Sequence, residues 1–240
     1  MVRLHDARVE CSQGPRSSLL ACPVMAHASE PDLLALHGLR LKGFAEANVV
    51  STLLGKSEEE VAAALTEASA SEFAMYRDGR MKGWALTTAG RIENERLLAA
   101  ELAAVAPVDG VDARSIVQSV YDRFLALNRT MLAVCTRWQV KDANAQVLND
   151  HSDPAYDAAV VDELALLDAG VQPLLAELVV VLDRFGVHAG RLTHALERIR
   201  AGDQQWFTKP IMESYHTVWF ELHEDLLASL GIDRASEGAH

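Results

Sequence analysis

Between Phe73 and Leu86 the chain changes its period. Phe73-Ala74-Met75-Tyr76-Arg77 and Arg80-Met81-Lys82-Gly83-Trp84-Ala85-Leu86 flank Asp78-Gly79, a dipeptide that suits the positive φ angles of a tight hairpin turn. The long segments on either side keep their apolar residues three or four apart, as helices do. A single hairpin set among helices predicts a mainly α fold.

Ahead of the hairpin, Leu33, Leu34, Leu36, Leu39 and Leu41 mark a first helix that stops near Gly43. Ala45 to Leu54 supplies a second, ended by Gly55, with Val49, Val50, Leu53 and Leu54 at helical spacing. Ser57 with Glu60 three residues on is a capping-box pattern, and Val61, Ala64, Leu65 and Ala68 form the inward stripe of a third helix. After the hairpin, Thr87-Thr88-Ala89-Gly90-Arg91 turns the chain into a helix through Leu102.

Helix, helix, turn, helix, β-ribbon, helix is the order of a winged helix-turn-helix. The run Gly83-Trp84-Ala85-Leu86-Thr87-Thr88-Ala89-Gly90-Arg91 closely resembles the strand followed by L-T-x-x-G-R that leaves the wing in MarR-like bacterial regulators. The resemblance covers about 70 of 240 residues and stops at that module. It implies transcriptional regulation, with the third helix in the major groove of double-stranded DNA and phosphates met by polar and cationic side chains. The residues available for such contacts are Arg40, Lys42, Lys56, Thr66, Arg77, Arg80, Lys82 and Arg91.

Charge pulls the other way. The chain carries 34 Asp+Glu against 22 Lys+Arg, a formal net charge of −12, whereas proteins that coat nucleic acid or anionic lipid have a dominant basic surface. The excess is uneven: residues 32–102 hold 8 basic and 11 acidic groups, and residues 103–240 hold 11 and 20. The difficulty therefore narrows to the third helix, Ser57 to Ser69, which has Glu58, Glu59, Glu60 and Glu67 and no Arg or Lys. Three glutamates at its start suit the helix dipole but would face phosphate repulsion in a groove.

Ala106-Pro107-Val108-Asp109-Gly110 interrupts the helical composition and marks a boundary. The expected organisation is a disordered extension over 1–30, the winged helix over 31–106 and an all-α helical bundle over 107–240. Within that bundle a single long helix is read from Ala113 to Val140, with Ile116, Val120, Phe124, Leu127, Met131, Val134, Cys135 and Trp138 on one side. A polar loop, Lys141 to Ser152, follows, and Asp153-Pro154 opens a helix that Pro173 kinks or restarts beside Gly170. Leu174 to Phe185, Ala189 to Ala201 and Pro210 to Leu230 complete about five helices, with no strand among them.

Chemistry in this half would rest on Asp150-His151-Ser152-Asp153, His188, His194 and the run Glu213 to Asp225. Glu213 and His216 form an i,i+3 pair resembling half of a carboxylate di-metal site, but a second such pair is absent, so no metal is expected. Trp138, Trp206, Tyr215, His216, Trp219 and His223 are the candidate lining of a small-ligand pocket; the competing reading makes them plain core or a dimer seam. No G-x-S-x-G, H-E-x-x-H or G-x-x-x-x-G-K-[ST] occurs, and Cys135 lies in a core pattern.

Cys11, Cys22 and Cys135 form no C-x-x-C pair, which favours a reducing, cytoplasmic setting. Leu19-Leu20-Ala21-Cys22 and Ala26-His27-Ala28 look like export cleavage sites but lack an apolar run before them, and Met25 is an alternative start. No uninterrupted apolar run reaches the ~18–20 residues of a membrane span, so no membrane partner is expected.

Two functions stay open. The first is a homodimeric DNA-binding regulator whose helical domain senses a small molecule, with no cofactor and no enzymatic activity. The second is a non-DNA-binding regulatory protein whose acidic winged helix docks on another protein. A metal-dependent activity on the His/Glu-rich last helix is a third, weaker alternative.

Overall fold

A computed structural model describes residues 26–142, 144 and 147–234. The expectations for residues 1–25, among them those on Cys11, Cys22 and Met25, lie outside the described residues. The expected disordered extension does not reach residue 30. The His27 N–H donates to the Val181 carbonyl (3.2 Å), and the His27 carbonyl accepts from the Asp183 N–H (3.1 Å).

The described chain is mainly helical. Helices α1 (Pro31–Lys42), α2 (Ala47–Leu54) and α3 (Glu58–Ala70) are followed by strands β1 (Ala74–Asp78) and β2 (Lys82–Leu86) and by helix α4 (Thr88–Ala104). Local chemistry sets these boundaries. Pro31 opens α1, where a missing N–H costs nothing, and Gly55 closes α2 in the left-handed conformation at φ 63°. Both halves of the capping box form at α3: the Glu60 N–H donates to Ser57 Oγ (3.2 Å) and the Ser57 N–H to Glu60 Oε2 (3.1 Å).

The hairpin differs from its expected form. β1 and β2 pair antiparallel from Ala74↔Leu86 to Asp78↔Lys82, so the loop is Gly79-Arg80-Met81 instead of a two-residue turn on Asp78-Gly79. A third, one-residue strand joins the ribbon: Ala45, between α1 and α2, exchanges both backbone hydrogen bonds with Trp84 (3.1 and 2.7 Å). Gly90 fits α4 tightly under β1, since a Cβ there would lie 1.8 Å from the Phe73 carbonyl oxygen.

Beyond a turn at residues 105–112 come α5 (Ala113–Gln139), a short ladder of β3 (Val140–Asp142) with β4 (Val147–Leu148), α6 (Pro154–Val181), a 3-10 turn (Asp183–Phe185), α7 (Gly186–Arg200), α8 (Gln205–Thr208) and α9 (Tyr215–Leu230). Two expectations are corrected. The segment read as loop contains a ladder, and α6 runs unbroken through Pro173. Pro173 removes the hydrogen bond to the Ala169 carbonyl, but both residues lie on the exposed side of α6, where water can satisfy that carbonyl. By length and composition α6 is also apolar enough to cross a membrane, with a mean hydropathy of 1.8 over 18 residues. Here its Val160, Leu164, Leu167, Val171, Leu175 and Leu178 are core, and Asp168 and Glu177 interrupt the run.

Three apolar clusters result. One is built on α5, α6, α7 and α9 around Phe124, Leu164, Phe185 and Tyr215. A second, smaller one joins α1, α2 and α3 through Leu39, Val50, Val61 and Leu65. The third, Leu33, Leu98 and Ala228, brings α1, α4 and α9 together, and with Leu39 in the second it buries α1 on both of its sides.

Candidate functional site

A groove of about 660 Å³ opens between the start of α1, α3 and α4. Its floor is apolar: Leu36, Ala63, Ala64, Ala68, Phe73 and Leu97. Its rim is acidic: Glu30, Asp32, Glu60, Glu67 and Glu93. No Lys or Arg lines it. Of the inward stripe of α3 predicted from sequence, Val61 and Leu65 turn to the core while Ala64 and Ala68 are partly buried and border the groove, which leaves Glu58, Glu59, Thr66 and Glu67 facing out. Glu60 is engaged by the helix cap, whose Ser57 hydrogen bonds hold its carboxyl below the ordinary range. Glu93 forms a two-pronged pair with Arg96 (2.8 and 2.6 Å) at the edge. Among the described residues, Glu30, Glu58, Glu59 and Glu67 have no cationic partner.

The cations proposed as phosphate anchors do not converge on this face. Arg40 donates to Glu224 and Glu95, both at 3.0 Å, and Lys42 Nζ lies 2.9 Å from both Glu213 Oε1 and Glu221 Oε1. Their side chains are 10% and 12% exposed, so they serve the contact between α1 and α9. Arg91 borders a cavity beside the end of α9 together with Arg40, Glu224 and Arg234. Arg40 and Lys42 are therefore withdrawn from the expected footprint, whereas Arg91 stays exposed. Lys82 pairs with Asp78 across the hairpin (3.1 Å), and the Thr66 hydroxyl donates to the Ala62 carbonyl of its own helix (2.7 Å). Arg77 and Arg80 on the hairpin and Lys56 before α3 stay exposed.

On the opposite side of α1 lies a cluster that includes two of the candidates named from sequence, His188 and Asp225, and three residues that sequence reasoning missed, His37, Glu101 and Arg184. Asp225 of α9 accepts from Arg184, from His37 Nε2 (3.0 Å) and from His188 Nε2 (2.8 Å). Arg184 Nε also donates to Glu101 (3.0 Å) and its Nη2 to Ser229 Oγ (2.7 Å). One cluster thus ties α1, α4, the 3-10 turn, α7 and α9. All of these side chains are buried, Asp225 at 1% exposure and His188 at 0%. Burial alone would raise the Asp225 carboxyl, yet Arg184 and His37 hold it well below its usual range; Arg184 is held above its own, against burial, by Asp225 and Glu101. The signal in the sequence was a histidine and an arginine inside apolar runs, Leu33–Leu41 and Leu178–Val187. Its hydrogen bonds run between five elements and so clamp the helices together.

The proposed aromatic ligand pocket is corrected. Trp138 stacks on Phe207 (4.3 Å between centroids) and packs on His151 (4.5 Å). Trp219 stacks on Phe124 (4.9 Å) and donates to Asn128 Oδ1 (2.9 Å), while His223 lies against Phe124 (5.2 Å). The Tyr215 hydroxyl donates to Asp168 (3.1 Å), and burial with that carboxylate pushes its ionisation far up. Trp206 sits edge-on to His194 at the surface of the same core, and His216 is exposed. The rings fill one another's space, and no main cavity is lined by any of the six.

Glu213, the carboxylate of the i,i+3 pair with His216, is engaged by cations. Arg191 binds Glu213 through two hydrogen bonds (2.9 and 2.8 Å) beside Lys42. Burial raises the Glu213 carboxyl, but these cations outweigh it and bring it to about 2. Among the described residues no group of three or more His, Cys, Asp or Glu is placed to hold a metal ion. Cys135 is buried, which pushes its thiol up to about 11, the state of an inert core thiol. The closest arrangement to acid–base geometry is His151, whose Nδ1 lies 3.0 Å from Asp157 Oδ2, with Asn149 donating to Asp157 Oδ1 (2.8 Å) and to the Trp138 carbonyl (3.1 Å). No main cavity opens on it, and these bonds fasten the 149–153 turn to the start of α6.

No family model, no curated protein and no solved structure matches this chain.

Proposed function

We propose that this chain is a non-catalytic regulatory protein. Its N-terminal unit, 31–106, is a winged helix-turn-helix that presents its acidic third helix to a partner protein. The element order and the Ala45–Trp84 bridge, which adds the short first strand to the ribbon, support the winged-helix reading. The observation that carries the choice of partner is the groove along α3: five carboxylates rim it, and no cation lines it. Phosphates would be repelled there, and α3 has no side chain to offset that repulsion. The apolar floor suits a protein surface, whose contacts combine a buried apolar centre with a charged rim.

The test is photo-crosslinking from Ala63 in the native host. We expect a discrete protein adduct that Glu67→Lys abolishes, together with no duplex DNA binding at low salt. Crosslinking to DNA, or DNA affinity that falls with salt and is lost in Arg77→Ala/Arg80→Ala, overturns the proposal. That outcome would establish the second reading, a transcriptional regulator anchored by the hairpin, which the exposure of Arg77, Arg80 and Lys56 favours.

A further inference from the structure

Helix α6 presents a long face that nothing in the described chain covers. Ala155, Ala159, Asp162, Leu166, Ala169, Pro173, Ala176 and Val180 follow one another at alternating steps of four and three residues, and all are exposed. Leu166 is 75% exposed and Val180 46%. An apolar stripe with that repeat is the seam along which helices pack side by side. The one acidic member, Asp162, lies toward its start.

The neighbouring helix continues the face. α5 and α6 run antiparallel, with Arg123 paired to Glu177 and Arg137 to Glu163, all four side chains close to half exposed. Between these pairs the outer side of α5 offers Ala126, Thr130 and Ala133, all exposed, with the exposed Arg129 beside them. A centre of mainly small and apolar side chains framed by two ion pairs, with Arg129 at the outer edge of α5, has the anatomy of an interface. At ~1.5 Å per residue the stripe is about 37 Å long, and two helices ~10 Å apart widen it to about 20 Å. The resulting ~700 Å² per copy is close to the ~800 Å² per partner of a standard interface.

The charges specify the occupant. Each ion pair places its arginine on α5 and its glutamate on α6. A two-fold axis parallel to the helices lays α5 of one copy over α6 of the other at the same height. Arg123 then faces Glu177 of the second copy, Arg137 faces Glu163, and each pair closes into a four-charge ring. We infer that a second copy of this chain covers the α5–α6 face about this axis, forming an antiparallel four-helix bundle. The inference is independent of what the α3 groove binds.

Sedimentation equilibrium of the full chain tests it. The wild type is expected at twice the 26.2 kDa of one chain, and Leu166→Arg at half the wild-type mass with unchanged helical signal. Arg123→Glu/Arg137→Glu and Glu163→Arg/Glu177→Arg are each expected as monomers that form a dimer when mixed in equal amounts, because only the mixture restores opposite charges across the axis. A monomeric wild type at micromolar concentration, a dimer that survives Leu166→Arg, or charge-reversed variants that stay apart on mixing each overturns the inference. Wild type that remains monomeric and floats with lipid vesicles does so too, and assigns the face to a bilayer surface.

Discussion

The two sides of the N-terminal unit carry similar residues in opposite electrostatic states. Toward α9, the cations of α1 are matched with carboxylates: Arg40 with Glu224, Lys42 with Glu213 and Glu221, and behind them the buried Arg184–Asp225 cluster. Toward solvent, Glu58, Glu59 and Glu67 of α3 stand without cations. Net charge over residues 32–102 averages these states and hides both. Where charges are enclosed they hold helices in register; where they are left open they set which partners can approach.

The enclosed side should be the more sensitive. Arg184→Ala leaves Asp225 and Glu101 buried without their cation, and we expect a loss of about 3–5 kcal/mol in urea unfolding. A loss under about 1 kcal/mol would show that the cluster does not clamp the helices.

At the Lys42–Glu213–Arg191 site the effect is smaller and depends on pH. The carboxyl of Glu213 is lower in the folded chain, about 2, than its ordinary 4.5. Its stabilisation is therefore complete above pH 4.5 and is lost as pH falls toward 2. Because the side chain is 41% exposed, solvent screening reduces the gain to about 1 kcal/mol. Glu213→Gln should cost that much at neutral pH and flatten the acid limb of the stability curve; a parallel, undiminished acid limb would place the effect elsewhere.

On the open side, Glu67→Lys, away from the first turn of α3, should change stability by less than about 0.5 kcal/mol, read by thermal melting. A marked destabilisation would show that this carboxylate has a structural role and remove the contrast.

Legibility followed range. The Ser57 cap, the Gly55 stop, the Val61/Leu65 stripe and the long α5 were all readable, because caps and periodicity depend on residues within a turn or two of one another. Asp78-Gly79 misled by one step. The loop closes as Gly79-Arg80-Met81 because the strand register continues to Asp78↔Lys82. Pro173 misled because a proline breaks a helix or not according to whether the freed carbonyl meets water, which local sequence does not state. The six aromatic and histidine positions were rightly grouped in the bundle but wrongly read as a lining, since composition cannot distinguish rings that stack on each other from rings that surround a space.

By itself, then, the sequence determined the helices, their caps, the single hairpin and the acidic character of α3, all set by short-range hydrogen bonding and by which side of an element is apolar. Only the tertiary structure decided that Arg40 and Lys42 turn inward, that His37, Glu101, Arg184, His188 and Asp225 meet, and that the long face of α6 stays open. The partners in those contacts lie up to 188 residues apart, and a charge's role depends on the dielectric and the counter-charge that folding brings to it.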